Sequence, residues 1–454
     1  MIRTILLIAA ISMVAPSASV AEETWLAGTA QSKITPKTKF WMGGFAARTK
    51  PAEGTLHELW VRALALEAPD GPTGVFVSLD LVGVPKWLYD DLCDRIREDH
   101  GISREWIRFS ASHTHSGPVL KSALTDIYPL DNRQRELIDE YSQWIEEEIL
   151  KTVDSALASR TPASLSSGIG SAPFGVNRRT NVESEAVEKL ANAIEPIGPH
   201  DHDVPVLAVR TPNGELRAVV FGYAAHTSAL TSNYRWSGDY SGVAQNLLEA
   251  NHPGTVALFF QGCGSDQSAL PRGTVERCEQ LGAEMAEAVD NVLGKDMREI
   301  KPRFEAAIDL VELPFGDQPD EAYLRQVAEQ SDYRARWAKR LLAETQAGKK
   351  FATGYAEYPV QVWNLGGDVL WISLGGEVCV DYSLRFKREF GPDTWVAGYT
   401  NDVMAYIPSR RLWEEGGYQA GAFEVYGLPA VRWSSDIEDR IASAVHRLTK
   451  EVNP

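Results

Sequence analysis

Short apolar runs alternate with longer amphipathic stretches along most of this 454-residue chain. Runs rich in β-branched and aromatic residues predict strands at 60–66, 74–79, 106–111, 204–209, 218–223, 255–260, 358–364 and 369–374. Apolar residues at helical spacing predict helices at 87–100, 132–158, 241–250, 275–293 and 436–452. This alternation predicts an α/β fold with mixed β-sheets flanked by helices.

Residues 317–350 form the most polar long stretch, rich in Glu, Gln, Arg and Lys. Apolar residues recur in it at roughly helical spacing, which favours a solvated helical insertion over a partner-binding arm. These residues are Tyr323, Val327, Trp337 and Leu341. No internal repeat, low-complexity tract or Pro/Ser-rich linker divides the chain, so we predict a single large domain over residues 22–454.

The first residues are typical of a cleavable signal peptide over residues 1–21. Arg3 precedes an apolar run at 5–14, and Ser19-Val20-Ala21 has the small residues of a signal-peptide cleavage site. The run of about ten apolar residues is shorter than the roughly twenty that span a bilayer, which argues against an uncleaved anchor. We expect an exported protein, periplasmic, secreted or extracellular, with no transmembrane segment after the signal peptide.

The net charge and the number of cysteines exclude some classes of protein. A formal net charge of -17 argues against a nucleic-acid partner, because phosphate binding needs a basic face. Four cysteines are too few and too scattered for a disulfide framework, and they show no CxxC spacing. They are Cys93, Cys263, Cys278 and Cys379. One or two disulfides, with Cys263 and Cys278 the nearest pair, and structural free thiols both stay open.

The sequence HTHSGP at 113–118 follows an apolar alternating strand. Period two continued from that strand places His113 and His115 on the face of Phe109, at the carboxyl end where α/β sheets commonly hold ligands. Histidine is both the usual zinc ligand and the usual acid or base at neutral pH, so the pair can supply either role. A bare HxH alone is more often two histidines hydrogen-bonded in a loop.

Two further strands lead to residues of the same chemistry. The strand at 218–223 leads to His226, and the strand at 369–374 leads through two glycines to Glu377. With His113 they supply the mixed nitrogen and oxygen set of a hydrolytic zinc site, which needs three or four ligands. Each residue taken singly is more often a core or surface residue, but the set favours a metal.

Other hydrolase signatures do not occur: the chain has no G-x-S-x-G elbow and no H-E-x-x-H motif. The glycine-rich turn at 262–267 could present Ser265 or Cys263 as a nucleophile. The favoured interpretation is a turn that lets the backbone approach the pocket while Asp266 orients a neighbour.

The remaining histidines are weaker candidates. His57 could line the pocket, although a structural role is favoured. His200 and His202 could form a second cation site with Asp201 and Asp203, but a polar turn before a strand is the favoured interpretation.

These residues resemble the catalytic, amino-terminal domain of the neutral/alkaline non-lysosomal ceramidases, zinc amidases that cleave N-acylsphingosine. The His-Thr-His-Ser-Gly-Pro segment carries the resemblance, and shorter matches follow the family's order at 27–30, 60–66, 177–178, 218–226, 375–377 and 401–418. The resemblance implies that Zn²⁺ is held by His113, His226, Glu377 and Tyr406. It also implies that His115, Arg178 and Tyr418 line the reacting centre.

The implied reaction is hydrolysis of the amide bond of a small-molecule or amphipathic N-acyl substrate by a zinc-activated water. An esterase or lactonase using the same site and a catalytically silent exported binding protein stay as alternatives. Arg410 and Arg411 follow Tyr406 where ceramidases usually have threonines. Unless they point to solvent, two arginines suit a polar or anionic group better than a lipid tail, so we expect long-chain ceramide to be a poor substrate.

Overall fold

The structure is a computed structural model that describes residues 24–69, 71–231 and 233–453. The predicted signal peptide at 1–21 lies outside these residues. Among the residues that are described, no helix has the length and apolar character needed to cross a membrane.

Nineteen strands, eleven α-helices and two short 3₁₀-helices, Arg104–Trp106 and Tyr418–Ala420, form the regular structure of the described residues. In chain order, strands β1 to β19 are Trp25–Lys33, Gly54–Thr55, Trp60–Glu67, Thr73–Leu79, Ile107–Ala111, Thr161–Ser171, Gly175–Asn177, Asp203–Arg210, Leu216–Tyr223, Arg235–Trp236, Val256–Gln261, Gln267–Ala269, Arg298–Ile300, Phe304–Pro314, Gly354–Leu365, Val369–Leu374, Glu377–Val378, Trp395–Ala397 and Tyr406–Ile407. Helices α1 to α11 are Lys86–His100, Asn132–Ala158, Glu183–Ala191, Asp239–Asn251, Val275–Leu293, Glu321–Ala328, Tyr333–Gln346, Val380–Phe390, Arg410–Glu415, Phe423–Tyr426 and Ile437–Glu451.

One large mixed sheet forms the centre of the fold, with the strand order β11-β9-β8-β6-β1-β3-β4-β5 and β13 added beside β6. The outer pairs, β9 with β11 and β4 with β5, are parallel, whereas the pairs between them are antiparallel. A second sheet has the order β14-β15-β16-β18. Three two-stranded pairs complete the topology: β2 with β10, β7 with β12, and β17 with β19.

Aromatic side chains pack between the two larger sheets. Phe76 of β4 and Phe260 of β11 contact Trp371 of β16, with ring centroids 5.2 and 4.9 Å apart. On the other face of the large sheet, Phe109 packs against α1 and α2, and Phe259 packs against α4 and α5. Helix α11 covers the outer face of the second sheet. The large sheet is therefore buried on both faces, which explains why most of its strands are near-continuous apolar runs.

The predicted α/β class is confirmed, and the predicted strands and helices are present within four residues of their expected ends. The polar stretch at 317–350 contains α6 and α7, which bury Val327, Trp337 and Leu341 but leave Tyr323 exposed. Strand β6 escaped prediction because its sequence, TPASLSSGIGS, has small residues with little hydrophobic periodicity. All four cysteines are buried free thiols.

Candidate metal centre

His113, His226 and Glu377 lie just beyond the ends of three different strands. Strand β5 ends two residues before His113, β9 ends three residues before His226, and Glu377 begins the short β17 after β16. The expectation that β5 continues with period two through His115 is wrong, because His113 has a φ of 59°, in the left-handed region that ends an extended strand. The turn still brings the Nε2 atoms of His113 and His115 within 3.0 Å of each other.

Three buried atoms of this cluster form a nearly equilateral triangle. His113 Nε2 lies 3.3 Å from His226 Nε2, and Glu377 Oε2 lies 3.4 Å from the first and 3.3 Å from the second. Atoms with unshared electron pairs repel one another at such distances in a buried site, so the triangle needs a cation or a proton within it. This buried donor set fits a metal ion, and His115 belongs to the same cluster, since ligand atoms of His113, His115 and His226 also lie within 4.8 Å of one another.

Backbone carbonyls orient two of the histidines. His113 Nδ1 donates to Val82 O at 2.6 Å, and His226 Nδ1 donates to Gly264 O at 2.8 Å. Both Nε2 atoms are thereby left as acceptors that face the cluster, as is usual for metal-binding histidines. Glycine at position 264 permits this close approach, since a Cβ there would lie 2.9 Å from the backbone nitrogen of Ala225.

His115 differs from the other two histidines. Its Nδ1 atom is buried and has no hydrogen-bond partner within the described ranges. Its ring packs edge-on against Phe45, with the ring centroids 4.7 Å apart. Burial, and then the neighbouring His113 and His226, lower the pKa of His115 well below its ordinary value. This ring can exchange a proton without breaking a backbone hydrogen bond.

Two tyrosines that sequence patterns did not indicate contact Glu377. The Tyr426 hydroxyl donates to Glu377 Oε1 at 2.5 Å, and the Tyr399 hydroxyl donates to Oε2 at 3.4 Å. Burial alone would raise the pKa of Glu377, but His113 and His226 lower it well below its ordinary value. The carboxylate is therefore ionised at neutral pH. No motif surrounds either tyrosine, so only the fold reveals these contacts.

Tyr406, Arg178 and Tyr418 lie next to this cluster. Tyr406 and Glu377 occupy paired positions in the parallel strands β19 and β17. The Tyr406 and Tyr418 ring centroids are 5.2 Å apart, and Tyr418 is 49% exposed, at the boundary with solvent. Burial alone would lower the pKa of Arg178, but Tyr406 and Glu377 raise it above its ordinary value. The structure thus places near one another the residues that the family resemblance implied.

The glycine-rich turn at 262–267 holds the segment that carries Arg178. The carbonyl oxygen of Ser265 accepts a hydrogen bond from the Arg178 guanidinium, and Asp266 O accepts one from the Arg178 backbone nitrogen at 2.9 Å. The Asp266 carboxylate accepts a hydrogen bond from Asn177 Nδ2 at 3.2 Å. Burial raises the pKa of Cys263 well above its ordinary value. These contacts agree with an orienting turn rather than a nucleophile.

Three other residues that the sequence made candidates form contacts outside the triangle of His113, His226 and Glu377. Arg410 pairs with Glu414, and Arg411 pairs with Asp381, each at 2.7 Å. The protein's own carboxylates thus neutralise both arginines, which removes the argument for an anionic group on the substrate. His57 Nδ1 lies 2.9 Å from a serine hydroxyl, in agreement with a structural role.

A family model matches the amino-terminal part of the chain. It is described as "Neutral/alkaline non-lysosomal ceramidase, N-terminal" and covers residues 25–295, more than half of the chain. The chain belongs to the neutral/alkaline ceramidase family. The matched range includes the three clustered histidines and Arg178, whereas Glu377, Tyr406 and Tyr418 lie beyond it. The structure shows that Glu377 lies next to His113 and His226, that Tyr406 is paired with Glu377, and that Tyr418 packs against Tyr406.

Solved ceramidase structures share the fold. A structure described as a ceramidase complexed with C2 and a neutral ceramidase from Pseudomonas aeruginosa both give a TM-score of 0.71 at 17% sequence identity. The alignments cover 94% of this chain and 76% and 75% of those chains. No curated protein sequence matches the chain significantly. At this identity the likeness establishes the fold, and the chemistry has to be argued from the residues.

Proposed function

We propose that this member of the ceramidase family is a zinc-dependent hydrolase that cleaves the amide bond of an N-acyl substrate. The observation that carries the proposal is the triangle of His113, His226 and Glu377, whose sides are 3.3, 3.4 and 3.3 Å. Ligands at zinc's usual bond lengths of about 2.0–2.1 Å stand about 3.3 Å apart at the corners of a tetrahedron. The triangle matches one face of such a site, and Tyr406 is the fourth ligand in this proposal.

When bound, zinc supplies a Lewis acid that makes water nucleophilic near neutral pH. His115 takes the proton of the attacking water at Nε2 and passes it to the leaving amine nitrogen. Arg178 and the Tyr418 hydroxyl donate hydrogen bonds to the carbonyl oxygen of the substrate as it gains negative charge. Burial and the nearby Glu377 raise the pKa of Tyr418, so its hydroxyl keeps the proton that it donates.

The substrate class in this proposal is a small or amphipathic N-acyl amide. Family membership and the half-exposed Tyr418 beside the buried triangle support it. N-acylsphingosine belongs to this class. Because Arg410 and Arg411 pair with carboxylates of the protein, they no longer argue against a substrate with a lipid tail. In this proposal residues 22–454 act as one catalytic domain of an exported protein.

Zinc content tests the ligand set. We expect one tightly bound zinc per chain after dialysis, and we expect His113→Ala and Glu377→Ala to lose it, as measured by elemental mass spectrometry. The control is His252→Ala, which removes a surface histidine bonded to Asp290 at 2.7 Å and should keep the ion. Stoichiometric zinc in both ligand variants would refute this site.

Substrate class needs a separate experiment. The zinc-loaded protein is tested against matched N-acyl amides and esters of varied chain length, with ceramide included. Amide hydrolysis that disappears in Glu377→Ala supports the proposal. Turnover of esters or lactones alone would identify the esterase alternative, since zinc-activated water does not itself distinguish the two carbonyls. Retained zinc without any turnover would favour a binding protein.

A further inference from the structure

A second group of metal-binding side chains lies outside the catalytic cluster. Glu195, His200 and His202 each offer one ligand atom, and these atoms lie within 4.8 Å of one another. His200 Nε2 is 3.0 Å from Glu195 Oε1, and the ring centroids of the two histidines are 4.1 Å apart. All three residues belong to the loop between α3 and β8. We propose that they bind a divalent transition-metal ion of their own.

The acidic neighbours of these histidines are not available as ligands. Lys387 Nζ lies 2.6 Å from Asp201 Oδ2 and 2.7 Å from Asp203 Oδ2, so one ammonium group forms ion pairs with both carboxylates. Glu195 is therefore the carboxylate that completes the group, in place of the two aspartates considered from the sequence.

Each histidine has one nitrogen bonded to a backbone carbonyl, which leaves His202 Nδ1 and His200 Nε2 as the two nitrogens that can be offered to an ion, the latter 3.0 Å from Glu195 Oε1. His202 Nε2 donates to Gly175 O at 2.8 Å, and His200 Nδ1 donates to Gly198 O at 3.2 Å. This is the pattern of metal-binding histidines, whose second nitrogen is usually fixed in this way. Because Nε2 of His202 is used in the bond to Gly175 O, Nδ1 is the atom that His202 offers to the ion.

Binding requires a small movement of the rings. The two ring planes are stacked at 25°, whereas His200 Nε2 and His202 Nδ1 must point to one ion. Rotation of the half-exposed His200 about χ2 achieves this, because that torsion is broad and only the long 3.2 Å hydrogen bond to Gly198 O is given up. Two imidazoles and one carboxylate select an ion such as Zn²⁺ over Ca²⁺ or Mg²⁺, which prefer oxygen ligands.

An ion bound at this site would stabilise the position of the segment that carries Arg178. Pro199 O accepts hydrogen bonds from Asn177 Nδ2 at 3.0 Å and from Gln267 Nε2 at 3.2 Å, and the Ile197 carbonyl accepts one from Thr180 Oγ1 at 3.0 Å. An ion that ties Glu195 to His202 closes this loop at both ends. The link to Arg178 rests on the proposed function, whereas ion binding itself does not.

Titration calorimetry with Zn²⁺ tests the site, using full-length protein that already carries its tightly bound zinc. We expect one further equivalent to bind. Loss of a group that only supports a metal ligand weakens metal binding about 10–100-fold. His200→Ala/His202→Ala removes two ligands themselves, so we expect the affinity for the second equivalent of Zn²⁺ to fall by at least about tenfold. The matched control is His446→Ala, a surface histidine paired with Glu389 at 2.9 Å, which should bind like the wild type.

Further variants separate the possible outcomes. Glu195→Gln changes a side chain that is 68% exposed, so it tests the site even if the double variant does not fold. If the double variant or Glu195→Gln bound the second equivalent of Zn²⁺ as tightly as the wild type, the proposal would be overturned. Preference of this site for Ca²⁺ over Zn²⁺ would overturn it as well. Glu377→Ala should keep the second step while losing the tightly bound zinc. Failure of the hydrolytic site and failure of this site are thus distinguishable.

Discussion

The three clustered histidines differ in what holds their second ring nitrogen. Val82 O and Gly264 O fix Nδ1 of His113 and His226, whereas Nδ1 of His115 has no partner in the part of the chain that the structure describes. A ring held by a carbonyl presents one fixed lone pair, which suits a metal ligand. A ring without that bond can gain and lose a proton, which suits proton transfer.

This difference predicts the behaviour of His115→Ala. The variant should keep one zinc per chain, yet its turnover of the amide substrate should fall by about 10²–10⁴-fold, the usual size of a lost general acid or base. Zinc content and kcat measured on the same preparation test this. His113→Ala serves as the comparison and should lose zinc and activity together. If His115→Ala also lost its zinc, His115 would be a ligand.

The tyrosines beside Glu377 allow a second prediction. The Tyr426 hydroxyl is 2.5 Å from one Glu377 oxygen, whereas the Tyr399 hydroxyl is 3.4 Å from the other. Tyr426→Phe should therefore weaken zinc binding by about 10–100-fold, and Tyr399→Phe should weaken it less. Competition with a chromogenic chelator gives both affinities. An equal effect, or none from Tyr426→Phe, would show that these hydroxyls do not position the carboxylate.

At the scale of elements, strands buried on both faces were the most predictable feature. Their apolar runs located β9 and β16, and hence His226 and Glu377 near their ends. The cluster itself was less predictable. The alternation of residues in β5 does not predict that the chain turns at His113. No local sequence pattern predicts that Tyr426 of α10 contacts Glu377. Such contacts depend on how separate elements pack.

The connection between β18 and β19 contains a buried carboxyl group. Asp402 accepts a hydrogen bond from the Tyr355 hydroxyl of β15, and burial raises the pKa of Asp402 to about 7. In the unfolded chain this group titrates near pH 4. Between about pH 4 and pH 7 the folded state therefore binds more protons than the unfolded state. Stability contributed by this group falls as the pH rises through that window.

Asp402→Asn should remove this dependence. We expect the Tm of the variant relative to that of the wild type to rise from pH 5 to pH 8, with both proteins saturated with zinc. The rise reflects a difference of up to a few kcal/mol, since one pKa unit corresponds to about 1.4 kcal/mol. Asp317→Asn, which changes an exposed side chain, should show a constant offset. A constant offset for Asp402→Asn would show that its carboxyl group is not proton-linked to folding.

At the scale of the whole molecule, the candidate site joins the two packed sheets. His113 and His226 follow strands of the large sheet, whereas Glu377 follows β16 of the second sheet. The aromatic layer around Trp371 packs between the sheets, so we expect it to help set the distance between them and hence the sides of the triangle. An ion bound by all three residues would therefore depend on the packing of residues that do not touch it.

Trp371→Ala tests this dependence against Ile441→Ala. Both side chains are fully buried, but Trp371 lies between the sheets and Ile441 lies in α11, on the outer face of the second sheet. Truncation should cost about 3–5 kcal/mol for the tryptophan and about 2–5 kcal/mol for the isoleucine. We expect zinc affinity to fall with Trp371→Ala and to stay close to that of the wild type with Ile441→Ala, because only the first change loosens the contact that aligns the ligands. Chelator competition under conditions in which both variants are folded measures the two affinities. Equal affinities would mean that the ligand triangle is held by its own turns and carbonyl contacts, without help from the aromatic layer.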